Sequence, residues 1–288
     1  LQFFPMVWLG MEDKGLCFFT ETRKGWKNSP VQVFSLKKGA DLASFEVSMA
    51  ADVKAGEELA LEFGLVATPV RPLPENYPCN VFTWSWTTAL NRVENPVIDL
   101  VLGSLPGGKL GRTFGDLPSF ESYPPNKTMQ KQIAVARKYK VRYVPYNLDR
   151  YLSDEYPEVA AFKDEWKIAP DYTLDYDTEQ GKAFLYDCCP RTQANNFFMY
   201  RFKNMLENLD LDGIYLDFGN VPSCRNHEHG CDGGIPYLAQ REFYRRLCLV
   251  QLDAGIKDPV IVLHNTDSVQ VPAMTFATHL FNGEHIRQ

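Results

Sequence analysis

Polar and apolar residues alternate strictly over Ser44-Phe45-Glu46-Val47-Ser48-Met49, which predicts a β-strand with one wet and one dry face. That strand sits in the run Ala43 to Ala50. Four more strand-like runs surround it, Phe3 to Leu9, Gly15 to Thr22, Val31 to Leu36 and Glu58 to Thr68, with turn signals at Glu12-Asp13-Lys14-Gly15 and Lys54-Ala55-Gly56. Half-wet strands with no helical period between them fit antiparallel sheets, so residues 1–74 are read as an antiparallel β-sandwich domain. Prolines 69, 72 and 74 then remove ladder donors and favour an extended connector at the boundary.

From about residue 80 the pattern changes to strand, loop, helix, strand. Strands are predicted at Val81 to Trp86, Val141 to Tyr146, Ala183 to Asp187, Gly213 to Phe218, Val260 to His264 and Ala277 to Asn282. Phe198, Phe202, Met205 and Leu209 recur at helical spacing, as do Phe243, Leu247, Val250 and Ala254, and Met129, Ile133 and Ala136. Repeated β-α units imply a doubly wound sheet or a (β/α)8 TIM-type barrel. No glycine-rich phosphate loop follows any strand, so no nucleotide cofactor is expected and residues 75–288 are read as the barrel. Six strands are visible and the chain stops at Gln288, so the barrel should lack its last strands. Val97 to Leu102 is a candidate extra strand.

Composition excludes some functions. The chain has 288 residues and a formal net charge of -6, which argues against a nucleic-acid surface. No apolar run is long enough to span a bilayer, and the first residues lack a signal-peptide pattern. Seven scattered cysteines do not make a disulfide scaffold.

Candidate chemistry gathers at the carboxyl ends of the predicted strands, where parallel α/β folds build their sites. Those ends carry Trp84 and Trp86, Tyr146 and Asn147, Asp187, Asp217, His264 and Asn265, with Glu284 after the last. Alternation puts Tyr215 on the face of Asp217. Aromatic rings beside carboxylates, amides and imidazoles suit a sugar, whose C–H faces pack on rings while polar groups hold its hydroxyls. Glycosidic cleavage needs two carboxyl groups, and Asp217 and Glu284 are the candidate pair, with Glu284 as acid and Asp187 as a competing third. An Asp on strand four with an acid on strand six is also the layout of the α-galactosidase-type barrel clan, an analogy of position only.

After the central strand comes Cys224-Arg225-Asn226-His227-Glu228-His229-Gly230-Cys231. Cys224 and Cys231 are read as a disulfide, as free thiols, or with His227 and His229 as zinc ligands; the spacing matches no usual zinc pattern. His229 is also a candidate substrate contact. Cys188 and Cys189 are read as packing residues.

Trp8-Leu9-Gly10 with Gly15 to Phe19, Ala67 to Pro74, Asp212 to Asp217, His229-Gly230-Cys231 and Gly283-Glu284 resemble a bacterial group of glycoside-hydrolase-like proteins. That group is distantly similar to glycoside hydrolase family 123 and pairs a β-sandwich with a (β/α)8 barrel. The resemblance implies a secreted, periplasmic or cell-surface bacterial glycosidase that acts on an oligosaccharide or polysaccharide and extends beyond both ends of this chain. Family 123 uses an adjacent Asp-Glu pair, whereas Phe218 follows Asp217 here, so its substrate-assisted chemistry is not implied. The expected activity is that of a two-carboxylate, retaining glycosidase. The alternatives are a non-catalytic carbohydrate-binding barrel and a zinc-dependent hydrolase built on the Cys224 to Cys231 loop.

Overall fold

The computed structural model describes residues 6–22, 26, 34–47, 54–72, 81–83, 98–103, 127–178, 181–265 and 269–281. Its first five strands are β1 (Met6–Gly10), β2 (Gly15–Thr20), β3 (Phe34–Lys38), β4 (Ala43–Val47) and β5 (Phe63–Thr68), all paired antiparallel. They form a three-stranded sheet of order β1-β2-β5 and a β3-β4 hairpin. Phe18 on β2 meets Phe34 and Phe45 of the hairpin edge-on, at 6.5 and 6.3 Å between ring centroids. Aromatic burial thus joins the two small sheets.

Next come β6 (Val81–Thr83), β7 (Ile98–Gly103), α1 (Lys127–Lys138), β8 (Arg142–Leu148), β9 (Tyr151–Ser153), α2 (Pro157–Trp166), β10 (Thr173–Thr178) and β11 (Gly181–Asp187). The chain continues through α3 (Ala194–Asn208), β12 (Gly213–Asp217), α4 (Tyr237–Asp253), β13 (Val260–His264) and β14 (His279–Phe281). Six of these strands form one sheet of order β14-β13-β12-β8-β7-β6, with every pairing parallel. The candidate strand at Val97 to Leu102 is therefore a member, as β7.

The predicted strand Ala183 to Asp187 is not. It is β11, the centre of a separate antiparallel sheet of order β10-β11-β9. Thr178 pairs antiparallel with Gly181, only three positions on, so the segment returns on β10 as a hairpin instead of crossing over through a helix.

Apolar layers cover both faces of the parallel sheet. On one, Ile214, Leu216, Ile261 and Leu263 pack with Phe198, Phe202 and Met205 of α3 and Phe243 and Leu247 of α4. These are the helical faces that the spacing marked. On the other, Val144, Tyr146, Leu148, Tyr215, Val260 and Val262 pack with Tyr151, Ala183 and Leu185. Phe198 meets Phe243 edge-on at 4.9 Å where α3 crosses α4, and α4 gives way to Gly255 at φ +87°, a backbone position that favours glycine.

The antiparallel strands dock on α4. Glu21, 1% exposed, accepts the backbone N–H of Leu238 in the first turn at 3.0 Å and pairs with Arg191 at 3.0 Å. Phe19 packs edge-on against Tyr237 at 5.8 Å. Among the described residues no helix is long and apolar enough to cross a membrane.

Candidate active site

β12 ends in Asp217, its neighbour β13 ends beside it with His264, and its other neighbour β8 carries Tyr146 two residues before its own end at Leu148. The register pairs Tyr215 with both Tyr146 and Val262, so alternation sends Tyr146, Asp217 and His264 to the same face. Asp217 Oδ1 lies 2.7 Å from His264 Nδ1 and accepts the Phe218 N–H at 2.9 Å. Its other oxygen, Oδ2, accepts a short hydrogen bond from the Tyr146 hydroxyl. One carboxylate is thus gripped by side chains from two adjacent strands.

Phe218 turns the chain at φ 56°, left-handed backbone that costs a bulky residue about 1–3 kcal/mol unless its surroundings hold it. They do. Its N–H bonds Asp217, and its carbonyl accepts from Arg150 Nη1 at 3.2 Å. The turn leaves the Phe218 ring 39% exposed, 5.2 Å from the Tyr151 ring, which in turn meets the half-exposed Tyr172 at 6.3 Å. An aromatic surface therefore adjoins the carboxylate.

Beneath it lies a buried charge cluster that sequence reasoning missed. Arg150 donates from Nε to Asp187 Oδ1 at 3.0 Å and from Nη1 to Asp149 Oδ2 at 2.9 Å, and all three side chains are at most 4% exposed. Gln240 and Tyr244 of α4 also donate to Asp149 Oδ2, at 2.7 and 3.1 Å. Burial pushes the Asp149 carboxyl up to about 6, against the pull of Arg150. Burial is also the largest influence on Arg150, yet the two carboxylates outweigh it and hold the guanidinium above its ordinary range.

Several sequence candidates take other places. Asp187 is committed to Arg150. Tyr215 is fully buried under Tyr146 at 5.1 Å, so it supports the site from below. Asn147 and Asn265 are each 1% exposed, on the strand face opposite to Tyr146 and His264. A Cβ on Gly219 would lie 2.6 Å from Asn265 Oδ1, which shows how closely that amide packs under the loop. His229 is held by Cys224 and the Glu165 carbonyl, away from Asp217's partners. Cys224 and Cys231 are free thiols and not a disulfide; the Cys231 sulfur lies 3.7 Å from Cys189, while Cys224 faces His229. Trp84, Trp86 and Glu284 lie outside the described residues. The short sequence around Asp149 and Arg150 carries no pattern that would have marked the buried cluster.

No protein-family model matches the chain, and no characterised relative matches it by sequence. Solved structures similar to it include α-galactosidase from Thermus thermophilus in complex with stachyose, 12% identical over 94% of this chain and 56% of that chain, TM-score 0.45. Others are a family GH13_31 enzyme, 11% identical over 72% and 50%, TM-score 0.46, and the α-galactosidase from Lactobacillus brevis, 11% identical over 71% and 30%, TM-score 0.47. This chain spans between 30% and 56% of the length of these three structures.

Proposed function

We propose that the chain carries the catalytic face of a glycoside hydrolase, with Asp217 as nucleophile and Glu284 as general acid. The observation that supports this most is the grip on Asp217: a strand-end carboxylate fixed by Tyr146 and His264 beside exposed aromatic rings. An ionised carboxylate oxygen has two lone pairs. Oδ1 accepts the Phe218 N–H and lies 2.7 Å from His264 Nδ1, while Oδ2 uses one lone pair on Tyr146 and keeps one to attack an anomeric carbon. In the retaining course, Oδ2 bonds to that carbon as Glu284 protonates the departing glycosidic oxygen. Glu284 then takes a proton from water, which displaces Asp217 and releases the sugar.

The parallel sheet favours a (β/α)8 barrel over 75–288, because its six strands follow one another in chain order without the reversal of a doubly wound sheet. Residues 1–74 form the β-sandwich domain of this reading, and the family resemblance supports an oligosaccharide or polysaccharide substrate and a secreted or cell-surface setting in a bacterium.

The test uses Asp217→Asn and Glu284→Gln in a complete form of the protein, assayed on a panel of aryl glycosides and oligosaccharides. Each variant should lose turnover by about 100-fold or more while binding survives. Azide should restore turnover of Glu284→Gln on activated substrates. A wild-type protein that binds sugars but hydrolyses none would assign it to the carbohydrate-binding class, and near-normal turnover in both variants would remove the pair.

A further inference from the structure

The loop after β12 folds its two cysteines and one of its histidines onto a third cysteine from the end of β11. Cys189, Cys224 and Cys231 are 0%, 0% and 1% exposed and all carry free thiols. The donor atoms of Cys189, Cys224 and His229 all lie within 4.8 Å of one another. Cys231 stands just outside that set, with its sulfur 3.7 Å from that of Cys189.

We infer that Cys189, Cys224, His229 and Cys231 bind a structural zinc ion. Zn–S bonds of about 2.3 Å and Zn–N bonds of about 2.0 Å in a tetrahedron set S···S edges near 3.7 Å and S···N edges near 3.5 Å. The observed 3.7 Å between Cys189 and Cys231 and 3.3 Å between Cys224 and His229 Nδ1 are edges of that size. A disulfide would need sulfurs at about 2.05 Å.

The histidine supplies an independent observation. Its Nε2 lies 2.8 Å from the Glu165 carbonyl oxygen, which can only accept, so Nε2 carries the proton and Nδ1 presents its lone pair to Cys224. The Asn226 amide nitrogen, 3.2 Å from Nε2, is a neighbour of that bond and not a second donor to it. An imidazole whose outer N–H is fixed by a backbone carbonyl while its inner nitrogen faces thiols is the arrangement seen in zinc-ligating histidines. His227 takes no part, being 93% exposed and 4.0 Å from Asp232.

Three thiolates and an imidazole suit zinc over harder cations, and four protein donors leave no open position for a reacting water. The site is therefore structural: it ties the loop that leaves Asp217 to the chain that leaves β11. Each ligating thiol gives up its proton on binding. This reading does not depend on the glycosidase assignment, and its test reads metal, not turnover.

The full chain, purified under reducing conditions from zinc-replete medium, should contain about one zinc per chain by plasma mass spectrometry. Cobalt exchanged into the same protein should show the strong visible absorption of a tetrahedral ion and a near-ultraviolet thiolate-to-cobalt band. Cys189→Ser should weaken zinc binding about 100-fold or more, whereas His227→Ala should leave the stoichiometry unchanged. Wild-type protein without zinc after reconstitution, a mass two hydrogens light with a Cys189–Cys231 or Cys224–Cys231 crosslink, or loss of metal in His227→Ala but not in Cys189→Ser would each overturn it.

Discussion

Replacing Arg150 with methionine tests whether the floor of the site is held by charge. The guanidinium is the cation shared by Asp149 and Asp187, with side chains 3%, 0% and 4% exposed. Methionine keeps a flexible apolar stem of similar length and removes the cation, leaving two carboxylates buried together. Breaking a buried ion group by removing one partner costs about 3–5 kcal/mol. At about 2–4 °C per kcal/mol for a chain of this order, the melting temperature should fall by roughly 6–20 °C. Loss of the 3.2 Å donation to the Phe218 carbonyl also releases the strained residue next to Asp217, so turnover should fall even where the variant is folded. The penalty should depend on pH. Asp149 sits at about 6 with Arg150 beside it and rises further without it. A carboxyl whose folded pKa lies above its unfolded value, about 3.9, adds stability that is complete below that value and is lost as pH rises through the folded one. Urea unfolding of Arg150→Met should therefore show a smaller deficit at pH 5 than at pH 8. A deficit under about 1 kcal/mol, or an equal one at both pH values, would refute the charge-cluster account.

Tyr146→Phe removes one hydrogen bond to the Asp217 carboxylate, worth about 1.5–3 kcal/mol, so kcat should fall about 10- to 150-fold with KM little changed. An unaltered kcat would take Tyr146 out of the site. Gly219→Ala places a Cβ 2.6 Å from Asn265 Oδ1 and 3.3 Å from the His264 carbonyl, and should destabilise the fold by about 1–3 kcal/mol in urea unfolding. An alanine variant as stable as its parent contradicts this packing of the loop on β13.

Much of the fold was legible because burial leaves a period. The strict alternation at Ser44 to Met49 marked β4, and the spacing of Phe198, Phe202 and Met205 marked the buried face of α3. Partners leave no such trace. Lys182-Ala183-Phe184-Leu185 alternates exposed and buried in β11, which says that one face is covered but not whether the next strand runs parallel or returns as a hairpin. Asp149, Arg150 and Asp187 are charged residues at strand ends, and their burial arises only when β8, β11 and α4 meet. No local pattern encodes that. Cys189 is a similar case, since its partners lie on a loop one helix and one strand further along the chain.

The candidates at the strand ends show how far one local rule reaches when it is applied throughout. Alternation places Asp217 with Tyr215, and the same rule separates Tyr146 from Asn147 and His264 from Asn265, since adjacent strand residues point to opposite faces. Tyr146, Asp217 and His264 share one face; Asn147 and Asn265 lie on the other, under the helices. The physical cost is visible there. The Asn147 amide has no hydrogen-bond partner among the described residues, although the residue is 1% exposed. Burying such a group unpaired costs about 1–3 kcal/mol. Replacing Asn147 with the similarly sized leucine should then hold or raise stability, whereas any replacement of Tyr146 takes a donor from Asp217. Two neighbours that read alike in the sequence are separated by the pleat of one strand into a packing position and a position on the Asp217 carboxylate.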